Sequence, residues 1–266
     1  MRNSHIYNAI MMIQVHSLFE GSFSVDVTKK FIPFDPKIHD PKDRPASLFI
    51  HVHPFLIESE SGLILCDTGL GFRTDSGELL LHANIRKLGF EPSDVRYVLM
   101  SHLHKDHKSG MVDGSRVAFP EAEYIVQRGE WEYAYSGESS SYDTAVLDVL
   151  QRSGNLTLVE GEGSINSTIS YALNGGHTPY HQAFHIHSGG EHIFFGGDVL
   201  SEPEELFKNF IAKYDYDGRV ARDLRIRYWE QGAPEGWVFL FYHSKTIAIG
   251  RPERKEDGSF KIVEAF

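Results

Sequence analysis

The amino-acid sequence predicts an α+β protein in which β-sheets pack together and helices lie on the outside. Short apolar segments bounded by turn-forming residues recur in both halves of the chain and are typical of buried strands. Helical patterns lie between them, and this mixture is expected when sheets stack on one another. The 266 residues, 41% of them hydrophobic and 24% charged, have an ordinary globular composition. We therefore predict a single domain over residues 1–266.

The predicted elements follow a short N-terminal strand region and an irregular segment. That segment, residues 31–45, contains four prolines and is predicted to be a loop or arm that covers a pocket or builds a homodimer contact. Strands are predicted at 48–58, 62–66, 95–100, 123–127, 156–160, 168–173, 183–187, 192–195 and 237–242, and a final hairpin joins 247–250 to 261–264. Helices are predicted at 82–88, 130–135, 145–152, 204–214 and 219–231, with Asp217 as the N-cap of the last.

Composition excludes several classes of partner. A net charge of −11 argues against electrostatic binding to nucleic acid or to anionic membranes. No stretch approaches the ~20 apolar residues that span a bilayer, and the N-terminal segment is too short and too broken for a secretory signal. The single cysteine, Cys66, lies in an apolar run and is predicted to be a core residue. We expect a cytoplasmic protein that acts on a small molecule.

The most informative motif is the run His102-Leu103-His104-Lys105-Asp106-His107, which directly follows a predicted strand. Neutral imidazole and carboxylate are ligands that suit zinc and other borderline divalent metals. Burying four such groups without a metal or polar partners would be costly. The motif therefore predicts half of a metal site.

Three further side chains are candidates for the other half. His177 and Asp198 each follow a pair of glycines, and His243 ends an apolar strand. Glycines allow the backbone to turn sharply and to approach a metal closely. Each of these segments thus delivers one ligand-type side chain to a loop.

These motifs, in this order, resemble those of the metallo-β-lactamase superfamily of metal-dependent hydrolases. The resemblance covers roughly residues 48–243. It rests on five motifs, which are the Asp67-Thr68-Gly69 turn, the His-x-His-x-Asp-His signature, the Gly-His-Thr-Pro turn at 176–179, the Gly197-Asp198 pair and the late His243. The resemblance implies an αββα sandwich, in which two mixed β-sheets pack face to face with helices outside and carry a dinuclear site at one edge.

The resemblance also implies the role of each ligand. His102, His104 and His177 would hold one cation, and Asp106, His107 and His243 would hold the other. Asp198 would bridge the two, and Asp67 would orient a ligand from behind. The cofactors would be two divalent metal ions, with zinc favoured and manganese, iron and cobalt left open. Asp106 and Asp198 would be catalytic through a hydroxide that bridges the metals and attacks a small ester or lactone.

Within the superfamily the pattern is most similar to the N-acyl-homoserine lactonase-like group. Those enzymes commonly carry a tyrosine three residues after the bridging aspartate, where this chain has Ser201. The electrophilic role would then move to Tyr180, Tyr242 or another group. A glyoxalase II-like thioesterase or a phosphodiesterase of the same fold is an alternative. A redox di-metal module or a non-catalytic scaffold is an alternative of another class, although His104 and the complete ligand set argue against both.

The remaining histidines carry weaker signals. For His51 and His53 we favour two polar positions on a half-exposed strand over a wall of the substrate pocket. His181 is predicted to be a structural hydrogen-bonding residue. His185 and His187 alternate on a strand and are predicted to face solvent.

Two groups of basic residues are predicted to be solvated. Lys105 lies inside the metal signature, and its side chain is expected to point to solvent. Arg222, Arg225 and Arg227 alternate with acidic residues on one predicted helix, a pattern typical of a solvent-facing surface. An anion-binding role for one of these arginines is the less favoured alternative.

Overall fold

The computed structural model describes residues 13–266, so the expectation about a targeting signal largely concerns residues outside this range. Within it the chain forms eighteen strands and five α-helices. The strands are β1 (Gln14–Ser17), β2 (Gly21–Val25), β3 (Phe31–Pro33), β4 (Leu48–Val52), β5 (Phe55–Ser59), β6 (Gly62–Cys66), β7 (Val95–Leu99), β8 (Val112–Asp113), β9 (Arg116–Val117), β10 (Glu123–Gln127), β11 (Leu156–Val159), β12 (Glu162–Ser164), β13 (Ile169–Leu173), β14 (Gln182–Ser188), β15 (Glu191–Phe195), β16 (Val238–Leu240), β17 (Ile249–Arg254) and β18 (Phe260–Glu264). The helices are α1 (Leu80–Lys87), α2 (Lys105–Lys108), α3 (Arg128–Ser136), α4 (Ala145–Ser153) and α5 (Gly218–Glu235).

Two large mixed sheets dominate the fold. The first has the strand order β1-β5-β6-β7-β10-β11, with its antiparallel pairs at the β1 end and its parallel pairs at the β11 end. The second has the order β12-β13-β14-β15-β16-β17-β18 and is antiparallel except where β15 meets β16. Side chains alternate across each strand, so both sheets have two apolar faces to bury.

The apolar residues separate into three buried layers. Ile57, Ile64 and Cys66 of the first sheet pack between the sheets against residues of the second, including Phe195. The opposite face of the first sheet is covered by residues of α1, α3 and α4. The outer face of the second sheet is covered by α5, through residues such as Leu224. This arrangement confirms the predicted αββα sandwich and the predicted core position of Cys66.

A third, small sheet corrects two of the predictions. The segment predicted as one strand at 48–58 forms two strands, because His53 and Pro54 interrupt the extended backbone between them. β4 joins the sheet β3-β2-β4, whereas β5 joins the large first sheet. Phe31–Pro33 is strand β3 of the small sheet, so the predicted arm at 31–45 is irregular only after Pro33, apart from a short 3-10 turn. The single-domain boundary and the homodimer contact stay predictions.

The helix predicted at 204–214 is also wrong. Only Pro203–Leu206 forms a 3-10 turn, and no helix follows until α5. The amides of Tyr216 and Asp217 instead donate hydrogen bonds to the carbonyls of His177 and Gly176. These bonds tie the segment to another loop. Asp217 then caps α5, as predicted, since its carboxylate accepts from two amides of the first turn.

In the part of the chain that the structure describes, no helix is both long enough and apolar enough to cross a bilayer. The loops that follow β7, β15 and β16 leave their sheets at one edge of the sandwich. Since the carboxyl ends of these strands meet there, polar side chains of distant segments come together at that edge.

Candidate metal centre

The loop after β7 begins the site. Ser101 follows the strand, and His102 comes directly after it. The short helix α2 then starts at Lys105 with His104 at its N-cap position, so that Asp106 and His107 lie in its single turn. This compact turn places four ligand-type side chains of one segment within reach of one another.

Among the described residues, three groups of three side chains bring their ligand atoms within 4.8 Å of one another, and one of them, Asp67 with His102 and His107, shares a residue with each of the other two. Of those two, the first consists of His102, His104 and His177, and the second of Asp106, His107 and His243. These are the two sets that the sequence analysis assigned to separate cations.

Asp198 lies between the two groups and presents one oxygen to each. Its Oδ2 atom is 3.3 Å from His177 Nε2 and 4.0 Å from His102 Nε2. Its Oδ1 atom is 3.2 Å from His107 Nε2 and 3.1 Å from His243 Nε2. The two oxygens of one carboxylate thus face the two triads, which is the arrangement that a bridging ligand requires.

Three buried atoms test whether these residues fit divalent cations. His102 Nε2, His107 Nε2 and Asp198 Oδ1 make no hydrogen bond among the described residues. Leaving a buried polar atom unpaired is costly, so such atoms in a cluster indicate an absent partner. Clustered imidazole nitrogens and carboxylate oxygens are suitable ligands for a divalent cation. The residues present therefore fit the metals that the sequence implies.

The protonation of the ligands is set by burial and by their neighbours. Burial, with the nearby imidazoles, lowers the pKa of His102 and of His104 well below the usual value, which keeps both as neutral ligands. Burial alone would raise the pKa of Asp198, but His107, His243 and His177 outweigh it and lower that pKa well below the usual value. Burial opposes charge on His243 too, yet Asp198 and Asp106 raise its pKa to about 9. A cation bound at His243 therefore displaces a proton.

Asp67 holds the second triad from behind. Its Oδ2 atom is 2.6 Å from His107 Nδ1, and its carboxylate also accepts from the amide and hydroxyl of Ser101. Because His107 Nδ1 is occupied in this way, its Nε2 atom is the one directed at the metal position. The structure thus places Asp67 where the resemblance implied, with a φ of 55°.

A second carboxylate, Asp215, was missed in the sequence. Its Oδ1 atom is 3.0 Å from His177 Nδ1, so it orients the third ligand of the first triad. Arg225 Nη1 is 3.9 Å from Asp215 Oδ2, and both side chains are buried. The prediction of a solvated face is therefore wrong for Arg225. The segment before α5 gave no sequence signal because its loop conformation depends on contacts with the 175–177 turn.

Glu130 is the other functional residue that the sequence analysis missed. It is fully buried on α3 and accepts hydrogen bonds from the Leu103 amide, the Thr178 hydroxyl and the Tyr142 hydroxyl. These bonds link the two loops that carry His102 and His177. A glutamate in the first turn of a helix is common at protein surfaces, so the sequence pattern does not distinguish the buried Glu130 from a surface residue.

The two tyrosines proposed as catalytic lie in different surroundings. Tyr242 is fully buried beneath His107, donates its hydroxyl to the Asp106 carbonyl at 2.8 Å and accepts from the Gly69 amide at 3.2 Å. It therefore supports the backbone of a ligand and does not face the cavity. Tyr180 is 40% exposed, packs against Gly129 of α3 and does not line the cavity. Neither phenol is among the residues that line the cavity.

A cavity of about 760 Å³ opens over the centre. One wall is apolar and comes from the small sheet and its flanks, namely Val25, Phe31, Leu48, Phe49 and Ile50. The opposite side carries Ser201 and Tyr214, and the ring of Tyr214 lies 6.0 Å from that of His177. Lys105 is half-buried and lines this cavity, so the prediction that it points to solvent is wrong.

The remaining predicted histidines lie outside the cavity. His51 and His53 are half-buried, hydrogen-bond to Ser22 and Ser17 and do not line the pocket. The carbonyl of His51 nevertheless accepts from His243 Nδ1 at 2.6 Å, which orients that ligand.

His181 acts as predicted, through hydrogen bonds only. It bonds to Asn174 through Nδ1 and accepts the Asp198 amide through Nε2. Of the two strand histidines, His187 is exposed as predicted, but His185 is half-buried beside Trp237.

Comparison with known proteins decides the family. A model of the metallo-beta-lactamase superfamily matches residues 49–236. The chain belongs to this superfamily. As a member it is a metal-dependent hydrolase, which confirms the class of enzyme predicted from the motifs.

Individual relatives agree with this assignment. The N-acyl homoserine lactonase AiiA of Bacillus thuringiensis subsp. kurstaki is 29% identical over 213 residues, which cover 71% of this chain and 79% of the relative. A probable metal-dependent hydrolase from Staphylococcus aureus superposes with a TM-score of 0.75 at 22% identity, over 96% of this chain and 98% of the other. AidC, a dizinc quorum-quenching lactonase, superposes with a TM-score of 0.71 at 20% identity, over 96% and 95%. At these identities the two structures establish the fold.

Proposed function

We propose that this metallo-beta-lactamase-fold enzyme hydrolyses the ester bond of a small acyl substrate, with a lactone as the first candidate, at a centre of two divalent cations. The observation that carries the proposal is the position of Asp198, whose two oxygens face separate triads of ligands. The lactonase relative and the dizinc neighbour support the same reaction class and favour zinc.

The protein itself would bind the two metal ions and orient the side chains that hold them. Seven side chains hold the ions, namely His102, His104, His177, Asp106, His107, His243 and Asp198. When bound, two adjacent divalent cations supply Lewis acidity for the substrate carbonyl and water activated at neutral pH. Asp67 and Asp215 fix the orientation of two imidazoles, and the protein need not supply a nucleophilic side chain.

Tyr214 is our candidate for the group that polarises the carbonyl or donates a proton to the leaving alkoxide. It lines the cavity next to His177, and its hydroxyl has no hydrogen-bond partner among the described residues. The residue is 47% exposed, but partial burial of the phenol and the nearby carboxylates raise its pKa, so the phenol keeps its proton at neutral pH. It would thus replace the tyrosine that lactonases carry at the position of Ser201.

The cavity supports a substrate with an apolar part. Its volume of about 760 Å³ lies within the ~300–1,000 Å³ range of small-molecule sites. The wall that includes Phe31 and Ile50 would accept an acyl chain beside the metals.

Four lysines also line the cavity, which favours a second candidate. They are Lys29, Lys105, Lys208 and Lys245. Lys245 is partly neutralised by Glu202 at 3.7 Å. The other three lysines make no ion pair among the described residues, although six carboxylates line the same cavity. They would suit a thioester or phosphodiester that carries an anionic group, and this candidate needs the same metal ligands.

A hydrolysis screen tests the proposal. The enzyme is stripped, reloaded separately with zinc, manganese, iron or cobalt, and assayed with lactones, thioesters, phosphodiesters and β-lactams. We expect the highest kcat/KM with a lactone. A higher kcat/KM with an anionic thioester or phosphodiester would favour the second candidate. Asp198→Ala should abolish turnover and lower metal content, whereas Asp223→Asn on the exposed side of α5 should retain both. Unchanged activity in Asp198→Ala would defeat the proposed mechanism.

Tyr214 is tested with a matched pair of variants. Tyr214→Phe should lower kcat about 100-fold with little change in metal content, since one electrophilic donor is worth roughly that much. Tyr216→Phe removes the hydroxyl of a neighbouring exposed tyrosine that also lines the cavity and should remain near wild-type. Equal rates for both variants would remove Tyr214 from the reaction.

A further inference from the structure

Three imidazoles gather on the outer face of the second sheet, at the turn end of the β14–β15 hairpin. His185 and His187 alternate with Phe184 and Ile186, which are buried between the two sheets, so both histidines point to the opposite face. His192 of β15 pairs in register with His187 and therefore lies on the same face. Strand geometry thus forces three metal-ligating side chains into one patch.

The side chains are in direct contact. His185 Nδ1 is 2.8 Å from His192 Nε2, and the rings of His187 and His192 lie 4.0 Å apart. The indole of Trp237 covers one side of the patch, 4.3 Å from the ring of His192. Two nitrogens this close can bind one ion. The nitrogens of the three rings do not all lie within 4.8 Å of one another in this structure, so the exposed His187 side chain has to turn its ring to bring a third nitrogen to the ion.

The chemical state of the rings suits a ligand role. Burial, with the neighbouring histidines, lowers the pKa of His185 to about 4 and that of His192 to about 3. Both rings are therefore neutral at pH 7, which is the form that binds metals. The carboxylate of Glu235, held by the Trp237 indole N–H at 2.8 Å, adds negative charge at the border of the patch.

The patch is separate from the catalytic centre. β15 runs from His192 on to Phe195 before the chain turns toward Asp198, and these three extended steps alone correspond to roughly 10 Å. None of the three histidines lines the large cavity. An ion bound here would not take part in the reaction at Asp198.

We propose that His185, His187 and His192 form an accessory site for one late first-row transition-metal ion, of the class of Zn²⁺, Ni²⁺ and Cu²⁺. Imidazole nitrogens favour these ions over Mg²⁺ or Ca²⁺, which prefer oxygen ligands. The site is mononuclear and lies at the protein surface, with water completing the coordination shell.

The test counts metal ions on the holoenzyme. Enzyme with its catalytic centre loaded with zinc is incubated with Ni²⁺, desalted, and analysed for total zinc plus nickel per chain. We expect one more ion per chain than before incubation. His187→Gln and His192→Gln should both lose this extra ion and keep the original metal content and turnover. His39→Gln, which removes a histidine from a distant loop, should bind it as the wild-type chain does.

Other outcomes overturn the proposal. A wild-type chain that gains no ion from micromolar Ni²⁺ would show that the three rings and Trp237 are only packed together. An extra ion that persists in His187→Gln, a variant at an exposed position that should not disturb folding, would place the ion elsewhere. A Mg²⁺ arm of the same experiment should add no ion, and binding of Mg²⁺ would contradict the imidazole ligand set.

Discussion

The contact between Asp215 and His177 gives the sharpest test of how the centre is held. Asp215 is buried, and its Oδ1 atom lies 3.0 Å from His177 Nδ1. Replacement with Asn keeps an oxygen that can accept this hydrogen bond but removes the negative charge. Replacement with Ala removes both. The two variants therefore separate the effect of charge from the effect of orientation.

The expected magnitudes follow from this geometry. Partners that orient a metal-bound histidine are worth roughly 10–100-fold in metal affinity, which corresponds to about 1.4–2.7 kcal/mol. We expect about a tenfold loss for Asp215→Asn and about a hundredfold loss for Asp215→Ala. The alanine variant also leaves Arg225 without the carboxylate 3.9 Å away, so its free energy of unfolding should fall by about 3 kcal/mol.

Chelator competition measures the affinities. Zinc-loaded enzyme is titrated with a chromophoric chelator, and the release of each ion is followed separately. The ion held by the triad that contains His177 should be released first in the Asp215 variants, while the ion held with His243 should be retained longer. Cobalt-loaded samples provide a spectroscopic measure of coordination geometry. Asp223→Asn on α5 is the control for charge removal from the same region.

One result would refute this reasoning. If folded Asp215→Ala bound both ions with wild-type affinity and showed the wild-type cobalt spectrum, the contact with His177 would have no role in metal binding. A uniform loss of both ions in proportion to the loss of folding stability would likewise assign Asp215 to stability alone.

Three further predictions concern the residues around the centre. Tyr242→Phe should lower the free energy of unfolding by about 1–2 kcal/mol in a denaturant titration, because the buried Asp106 carbonyl loses its donor; wild-type stability would contradict this role. Burial raises the pKa of Glu20 from 4.5 to about 7, so its contribution favours folding at low pH and is lost as pH rises. Between pH 5 and pH 8, wild-type stability should fall by about 2.5 kcal/mol relative to Glu20→Gln, and a difference that does not vary with pH would be evidence against the shift. Gly110→Ala should yield little soluble protein, since a Cβ there would collide with the Thr68 carbonyl, and expression at the wild-type level would show that the loop can move.

Local sequence patterns predicted most of the regular elements. Strands such as β10 and helices such as α4 have a clear period and clear boundary residues, and each lies where it was predicted. The break between β4 and β5 was missed because apolar residues continue on both sides of His53 and Pro54. The false helix at 204–214 had suitable composition, but the residues directly after it, Tyr216 and Asp217, bond through their amides to the turn at 175–177.

In the candidate site, too, some residues could be predicted from the local sequence and others could not. The ligand-type residues were visible because histidine and aspartate at strand ends have few structural explanations, and the resemblance to the metallo-β-lactamase superfamily assigned them to two groups. Asp215 and Glu130 were not visible, because their role depends on which loops meet in space. Arg225 was misassigned for the same reason, since a charged residue on a helix gives no sign of the loop that covers it.

Strand β4 has a consequence for how this enzyme can change its substrate. Its side chains at Leu48 and Ile50 form part of the cavity wall, while the carbonyl of the next residue, His51, anchors the ligand His243. Exchanging those side chains would alter selectivity and leave the carbonyl in place. Insertions or prolines that displace the strand itself would also pull on His243. Adaptation to new substrates should therefore proceed through side-chain replacement in β4 rather than through remodelling of its path.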